Sequence, residues 1–356
     1  MTITSWDDYF IHQTPYPIIK PFVDTPHWID RLYWNIHAEK GNLMFGIGLG
    51  SYRTTARMDS ISYLLHDKEQ RILRLARRTT DDDYADPQIG PLRLEIIKPQ
   101  ETWRLIMEEN PAGIAWDLTF NARWSPVEYD QFEFGNENGE GTNHAHYVQL
   151  GKAEGIVEID GRALDTGRLL VSRDRSWGVR RPREGQGLLL WLQHQFENVE
   201  ICFIMVESRD GSIAYFDGAV TSAEGRRKLV AVGHDLKMAP GTRDMLGGEV
   251  QVADTEGRVY KIEYVERRLR GYLGGIGYGG WQGRDRGDMF IEADRIDMNQ
   301  PTEEILAKQS MHLFGHLMRV RLNGGEECFA DLEGGITRSS KYDYRPRKLA
   351  PAGSTA

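Results

Sequence analysis

Short apolar stretches that end in turn residues recur along almost the whole chain, and they constrain the fold more than any other feature. They follow one another roughly every 8 to 15 residues, with 38 glycines spread among them. Several alternate apolar and polar residues, which is the pattern of a half-buried strand. Helical periodicity is weak, and its best candidate is residues 302–316. The pattern predicts an all-β protein of antiparallel barrels or sandwiches, with strands near residues 60–65, 92–97, 102–107, 115–122, 188–196, 199–206, 259–265, 271–279, 288–293 and 318–322.

Two turn signals predict hairpins. Asp160-Gly161 lies between two strand-like segments, and Asp-Gly is among the strongest short-range signals for a hairpin. Glu197-Asn198 separates residues 188–196 from residues 199–206 in the same way. The second hairpin is apolar enough to lie in a sheet that is buried on both faces.

The length of the chain predicts two domains, because 356 residues exceed one ordinary core. Composition shows no break, but the segment 151–166 separates two comparable halves. We therefore expect an N-terminal β-barrel domain over residues 1–168 and a C-terminal one over residues 169–340. Residues 341–356 are basic and then small, and are expected to form a frayed tail.

The overall composition is that of a soluble globular protein, with 40% hydrophobic and 27% charged residues. A net charge of −9 argues against a nucleic-acid surface, which needs a basic stripe. Two cysteines, Cys202 and Cys328, indicate a reducing compartment without a disulfide framework. Neither a signal peptide nor an apolar segment of the ~20 residues that span a bilayer is visible. We therefore expect a cytoplasmic protein.

The stretch Arg173-Asp174-Arg175-Ser176-Trp177-Gly178-Val179-Arg180 is unusual because four charges follow directly on a buried apolar run. On a strand, Arg173, Arg175 and Trp177 share one face, and Asp174 and Ser176 share the other. A charged segment directly after a buried apolar strand indicates either a functional site or an ion-paired strand end that joins two parts of the fold.

This central stretch also carries a resemblance to a known family. Together with Tyr147-Val148-Gln149, Gly155 and the Asp160-Gly161 turn, it resembles the tandem lipocalin-like family that includes carotenoid 1,2-hydratase (hydroxyneurosporene synthase) and AttH-type proteins. Residues 45–50 and 215–218 extend the resemblance. It implies two consecutive lipocalin-like (calycin-type) barrels and reactions on hydrophobic, often isoprenoid-derived molecules by hydration, dehydration or cyclisation. Many relatives have His at the position of Arg175.

The resemblance also implies a catalytic set in part. The hydratases use a His and a Trp on one strand and a Tyr-x-Asp on a later one. Trp191 and Tyr215-Phe216-Asp217 match in type and approximate spacing. Leu189 occupies the position of the His, and His194 lies downstream of it.

Hydration of an unactivated alkene requires a proton donor, a dry pocket that protects the carbocation, and water to capture it. A buried carboxyl with a raised pKa can donate the proton, and aromatic faces stabilise the cation. Asp217 is the best candidate for the acid because Tyr215 lies on the same strand face. The alternative is that Asp217, which precedes Gly218, caps a turn. Asp174 is the second candidate, although its neighbouring arginines favour an ionised, structural role.

Other polar and aromatic residues are weaker candidates. Asn143-His144-Ala145-His146 places two histidines on one strand face, as some metal sites do. Glu154 is too distant to complete such a site, so we expect no metal. His146 is interpreted as a pocket base or as a hydrogen-bonded strand residue. Side chains that line a ligand pocket or else fill a core are Trp191, Tyr215, His194, Trp177, Arg175, Trp124 and Gln149.

Other enzyme classes are not indicated. The glycines of residues 45–50 lack the spacing and the following helix of a dinucleotide site, so they favour a strand with one face bare for close packing or ligand approach. A Gly-x-Ser-x-Gly motif is missing, and neither cysteine has an activating partner nearby in the sequence.

The residues and the resemblance together favour a cofactor-independent lyase, that is, a hydratase, dehydratase or cyclase for an isoprenoid-like or polycyclic substrate. The alternative is a non-catalytic carrier of a lipid or steroid-like ligand, since both need an apolar cavity. The expected partner is the hydrophobic small molecule, with no nucleic acid and no membrane span. A homodimer is compatible with the sequence.

Overall fold

The computed structural model describes residues 3–10, 27–80, 83, 87–135, 141–180, 185–273, 281–305 and 311–352. Almost all regular structure in them is β-strand, as predicted. The helical elements are two 3-10 turns, at Ser5–Asp8 and Arg53–Thr55, and one short α-helix, α1, at Thr302–Ile305. No helix in the described ranges is both long enough and apolar enough to cross a membrane.

The strands are numbered in chain order. They are β1 (Trp28–Ala38), β2 (Leu43–Tyr52), β3 (Arg57–His66), β4 (Glu69–Arg78), β5 (Gln88–Ile89), β6 (Leu92–Lys98), β7 (Thr102–Met107), β8 (Ile114–Ala122), β9 (Val127–Glu128), β10 (Phe132–Gly135), β11 (Gly141–Ile159), β12 (Arg162–Ala163), β13 (Leu169–Val179), β14 (Gln186–Gln195), β15 (Val199–Ser208), β16 (Ile213–Ser222), β17 (Gly225–Met238), β18 (Met245–Asp254), β19 (Val259–Leu269), β20 (Met289–Asp297), β21 (Met311–Leu322), β22 (Glu327–Thr337) and β23 (Arg347–Pro351).

The strands form two antiparallel sheets, one curled and one closed. In the first sheet, the order β20-β4-β3-β2-β1-β13-β11-β8-β7-β6-β5 curls into a half-barrel, and β9, β10 and β12 also pair with β11. In the second, β14 to β19, β21 and β22 form a closed barrel of eight strands, because β16 pairs with β17 and β14 pairs with β22. The predicted pair of lipocalin-like barrels is confirmed as an architecture.

The chain crosses between the sheets more than once. β13 follows the predicted domain boundary, yet it lies in the first sheet between β1 and β11. β20, from the C-terminal half, joins the same sheet beside β4. The predicted boundary at residues 168/169 stays a prediction, but strand pairing places the first change of sheet after Val179.

Both predicted hairpins are present, and the helix candidate at residues 302–316 is helical at its start and a strand at its end. Asp160 and Gly161 have φ of 49° and 72°, as the two-residue turn requires, and Phe196 N–H donates to Val199 O at 2.8 Å across the other turn. Of residues 302–316, Thr302–Ile305 form α1, residues 306–310 lie outside the described residues, and residues from Met311 onward form β21. Buried and partly exposed side chains alternate at both ends of β21, which is strand periodicity, and residues 314–318 between them are all buried.

Two apolar cores follow from the alternation of side chains along the strands. One lies on the inner side of the first sheet and includes Trp34, Trp103 and Phe120. The other fills the closed barrel with side chains such as Leu190 and Phe203, and extends to the facing side of the first sheet. Full burial of each large apolar side chain contributes roughly 1.5–3 kcal/mol.

Candidate functional site between the two sheets

The outer face of the closed barrel packs against one face of the first sheet. Gln195 donates hydrogen bonds to the carbonyl oxygens of Gly151 and Val171, each at 2.9 Å. Asn35 donates to the carboxyl group of Asp331. These bonds fix which strand faces meet, so the interface brings together residues that are far apart in the sequence.

A buried His–Asp pair lies at this interface. His146 of β11 and Asp174 of β13 are 6% and 4% exposed, and His146 Nε2 lies 3.0 Å from Asp174 Oδ2. His146 Nδ1 and Asp174 Oδ1 have no hydrogen-bond partner among the described residues, and the contact between His146 Nε2 and Asp174 Oδ2 is not aligned as a hydrogen bond. Since buried polar atoms are almost always hydrogen-bonded, the two atoms indicate a position for water or for a ligand.

Three aromatic side chains adjoin the pair. The Trp191 ring lies 5.5 Å from the His146 ring, and the Tyr129 ring stands edge-on 5.1 Å from it. The Tyr33 ring lies 5.7 Å from Trp191. The Tyr129 hydroxyl is buried and has no hydrogen-bond partner in the described part of the chain. Aromatic faces in this arrangement can stabilise a positive charge.

A further carboxyl group, that of Glu333 on β22, lies in the same place. Glu333 is in register with Trp191 on the neighbouring strand, so the two side chains share a face. Burial first, and then the charges of Asp331 and Asp174, raise the pKa of Glu333 well above its usual value. A hydrogen bond with Tyr33 opposes part of this effect. Glu333 is also partly exposed, whereas Asp331 is buried.

We refer to these residues as the inter-sheet site. Its members are His146, Asp174, Trp191, Tyr129, Tyr33 and Glu333.

The predicted glycine-rich strand is β2, which lies beside Tyr33 of β1. A Cβ atom at Gly46 would lie 2.4 Å from the ring of Tyr63. Only glycine therefore lets the Tyr63 ring lie across β2, where its hydroxyl is 3.2 Å from the Tyr33 hydroxyl. The glycine face of β2 lets Tyr63 pack closely, and the contact with Tyr63 orients Tyr33 toward the site.

Asp217 and Tyr215 lie on β16. Strand register runs from Trp191 on β14 through Ile204 on β15 to Asp217, so Asp217 shares the outer barrel face with Trp191. Tyr215 is on the same face, and its ring packs 4.4 Å from that of Phe132. The structure thus places the predicted acid two strands away from Trp191.

The Asp217 carboxyl is held by the backbone. Its Oδ2 accepts from the N–H of Asp130, and its Oδ1 accepts from the N–H of Gly218 at 2.7 Å. Burial raises the pKa of Asp217, while the bond from Asp130 and the charge of Lys228, whose Nζ lies 3.5 Å away, oppose this. These bonds anchor the chain segment that carries Tyr129.

Arg173 and Arg175 of the central stretch face away from the inter-sheet site, whereas Arg180 donates to the Ser176 hydroxyl on the Asp174 face of β13. Arg173 is fully buried against the inner core of the first sheet and donates to Gln149 at 2.7 Å and to Asp8 at 2.8 Å. Arg175 is equally buried and pairs with Asp30. This network ties the N-terminal 3-10 turn and β1 to β13. The two faces of β13 therefore have different environments, an ion-paired one and the inter-sheet site.

The remaining predicted ligand contacts also lie outside the inter-sheet site. Trp177 is 9% exposed on the arginine side of β13. Trp124 is half-buried, and its carbonyl oxygen accepts from Gln149 at 2.9 Å. His194 lies inside the closed barrel, where its Nε2 is 2.9 Å from the Tyr264 hydroxyl and burial lowers its pKa to about 3.

His144 and His146 share a strand face, with ring centroids 6.2 Å apart. Within the described ranges, no group of three or more His, Cys, Asp or Glu side chains is placed to hold a metal ion.

Comparison with known proteins gives a family for the chain. The model of a family of unknown function (DUF8625) matches residues 3–323. The chain belongs to this family. No curated protein matches the sequence.

Solved structures resemble this DUF8625 member in fold. An AttH-like protein from Nitrosomonas europaea superposes with a TM-score of 0.58 and 10% identity, over 88% of this chain and 94% of that one. CghA superposes with a TM-score of 0.50 and 9% identity, over 93% and 95% of the two chains. Kievitone hydratase from Nectria haematococca gives a TM-score of 0.49 and 12% identity, over 92% and 94%. The AttH-like match confirms the resemblance to tandem lipocalin-like proteins at the level of fold.

Three members of the DUF8625 chain's inter-sheet site were not expected from its sequence: Tyr33, Tyr129 and Glu333. Glu333 and Asp331 alternate with apolar residues in a strand-like stretch, and two carboxyls on one strand face were a usable signal. Tyr33 and Tyr129 had no comparable signal, because buried tyrosines are common in cores.

Proposed function

We propose that the protein is a cofactor-independent lyase, that is, a hydratase, dehydratase or cyclase, which acts on a hydrophobic small molecule at the inter-sheet site. The observation that supports this most is the buried His146–Asp174 pair against Trp191, with polar atoms that lack a partner among the described residues. Unsatisfied and strongly perturbed polar groups cluster at functional sites.

The geometry suits acid–base chemistry on an alkene. A protonated carboxyl gives its proton to one alkene carbon, and the adjacent carbon becomes a cation beside Trp191 and Tyr129. Water then attacks the cation, His146 takes the water proton at Nδ1, and Asp174 stabilises the imidazolium. The net result adds H and OH across the double bond, and dehydration is the reverse.

The acid is a carboxyl whose pKa burial raises. Asp217, which the family resemblance implies, and Glu333 both satisfy this requirement. The isoprenoid-like or polycyclic nature of the substrate is part of the same proposal, supported by the resemblance to carotenoid 1,2-hydratase and by the aromatic side chains of the site.

The proposal includes a cytoplasmic location. Its support is that Cys202 and Cys328 are both free thiols, as in proteins of reducing compartments. The homodimer stays a prediction.

The test is incubation of the purified protein with geraniol, progesterone and 4-vinylphenol in H₂¹⁸O, followed by mass spectrometry. These probes represent isoprenoid, steroid and aromatic-alkene substrates. Enzyme-dependent ¹⁸O in a product, lost in the His146→Gln variant, is the expected result. A probe that binds and elutes unchanged would favour the carrier instead.

A further inference from the structure

Two carboxyls, that of the partly exposed Glu333 and that of the buried Asp217, lie at opposite ends of one row on the outer face of the closed barrel. The row is Glu333, Trp191, Ile204 and Asp217, on the neighbouring strands β22, β14, β15 and β16. Because adjacent strands are about 4.8 Å apart, the backbones of Glu333 and Asp217 are separated by roughly 14 Å. The two carboxyls therefore face different parts of the interface.

The Glu333 end of the row faces the His–Asp pair. Tyr33 hydrogen-bonds to Glu333 and is in register with Asp174 on the neighbouring strand, so the two carboxyls adjoin the same tyrosine. Glu333 adjoins Trp191 directly, and Trp191 contacts the His146 ring. Glu333 and His146 are therefore both neighbours of Trp191, which places an acid and a base beside the same aromatic ring.

The Asp217 end of the row has a different role. Both carboxyl oxygens of Asp217 accept backbone N–H groups, those of Asp130 and Gly218. The neighbouring residue Tyr129 donates its own N–H to His146 O at 3.0 Å, and its ring contacts the His146 ring. Asp217 thus fixes the segment that places Tyr129 against the base.

We infer that Glu333 is the proton donor of the inter-sheet site and that Asp217 is a positioning residue. This inference rests on the lyase function proposed above. The Glu333 O–H bond breaks as the alkene π pair forms the new C–H bond, which leaves a carboxylate and a carbocation. Water adds to the cation and gives its proton to His146, and that proton returns to Glu333 through solvent. The charges of Asp174 and Asp331 favour the protonated form of Glu333 before each cycle, and the Arg31 charge and the Tyr33 hydrogen bond oppose them.

The kinetic test compares Glu333→Gln with Asp217→Asn on whichever of the three probes is turned over. Glu333→Gln should lower kcat about 100- to 10,000-fold, the usual contribution of a general acid. The wild-type rate should fall as rising pH ionises the acid, and this alkaline limb should persist in Asp217→Asn but be absent from the residual activity of Glu333→Gln. Glu327→Gln, an exposed change on the same strand, is the matched control and should behave as the wild type.

The assignment of Glu333 is overturned if Asp217→Asn removes the alkaline limb while Glu333→Gln retains it. An additional readout does not need turnover. Carboxyl ¹³C NMR of ¹³C-Glu-labelled protein, assigned by difference from Glu333→Gln, should show Glu333 still protonated at neutral pH and shifted by added 4-vinylphenol. If no probe reacts, the lyase function fails. Separately, a Glu333 signal that is ionised at neutral pH and does not shift with added 4-vinylphenol would show that Glu333 is not part of a binding site.

Discussion

Two buried His–Asp contacts among the described residues have the same nitrogen–oxygen distance but differ in hydrogen-bond alignment and in surroundings. In the closed barrel, His316 Nε2 lies 3.0 Å from Asp244 Oδ1, and the Gly271 N–H donates to His316 Nδ1 at 3.1 Å. Arg267 donates to the other Asp244 oxygen at 2.6 Å. Burial alone would raise the pKa of Asp244, but the bonds from the histidines and the Arg267 charge hold it well below its usual value.

The pair in the inter-sheet site has the same 3.0 Å separation and fewer partners. His146 Nδ1 and Asp174 Oδ1 are without hydrogen-bond partners in the described ranges, and aromatic rings take the place of the arginine and the backbone amide. A fully bonded pair fixes structure, because any proton transfer from it would break existing bonds. A pair with unused acceptors can exchange protons with a bound molecule, so the difference lies in the surroundings of the pair.

Replacing each histidine in turn should separate the two roles. His146→Gln should lower kcat on a reactive probe by about 100- to 10,000-fold, since it removes the general base, and should shift the thermal midpoint little. His316→Gln should lower the thermal midpoint and leave kcat of the folded fraction near the wild-type value. Both are measured by ¹⁸O incorporation and by calorimetry. Equal losses of stability in the two variants would mean that the inter-sheet pair is also structural.

The sequence predicted the faces of individual strands better than the contacts between them. Period-two alternation puts Asp174 on the opposite face of β13 from Arg175, and Trp191 on the opposite face of β14 from His194. Which face meets the other sheet depends on packing between distant segments. The sequence therefore indicates Arg175 and His194 as ligand contacts, but Arg175 lies in a buried ion pair and His194 lies inside the closed barrel.

The inter-sheet site depends on pairing between strands that are far apart in the sequence. His146 and Asp174 meet because β11 pairs with β13, and Glu333 joins Trp191 because β22 closes the barrel against β14. Neither pairing is a hairpin with a local turn signal. The helix candidate at residues 302–316 includes the start of β21 for a related reason: alternation of His312, Phe314 and His316 in a short apolar segment fits a strand and a helix about equally well.

Acid should destabilise the protein through the satisfied pair. Burial lowers the pKa of His316 from 6.5 to about 4, so the unfolded chain binds its proton first as the pH falls. The contribution of neutral His316 to the free energy of unfolding is complete above about pH 6.5. It falls by roughly 2–3 kcal/mol as the pH falls toward 4. Urea unfolding near pH 7 and pH 4.5 measures the loss, to which buried His37 and His194 add in the same direction. His316→Gln should lose about 2 kcal/mol less than the wild type between these pH values, and an unchanged loss would show that His316 is not the group that titrates.

The smallest expected effect compares two buried tyrosine hydroxyls. The Tyr264 hydroxyl bonds His194 Nε2 at 2.9 Å in the closed barrel, whereas that of Tyr129 lacks a partner among the described residues. Tyr264→Phe should cost about 1–2 kcal/mol, because it also leaves the His194 nitrogen unpaired, and Tyr129→Phe should change stability by less than about 0.5 kcal/mol. Urea unfolding near neutral pH resolves this difference. A loss of about 1 kcal/mol or more in the free energy of unfolding for Tyr129→Phe would mean that the Tyr129 hydroxyl is hydrogen-bonded in the free protein, so that a ligand would have to displace that partner. A loss near zero would mean that the hydroxyl can bond a ligand without breaking a bond that stabilises the fold.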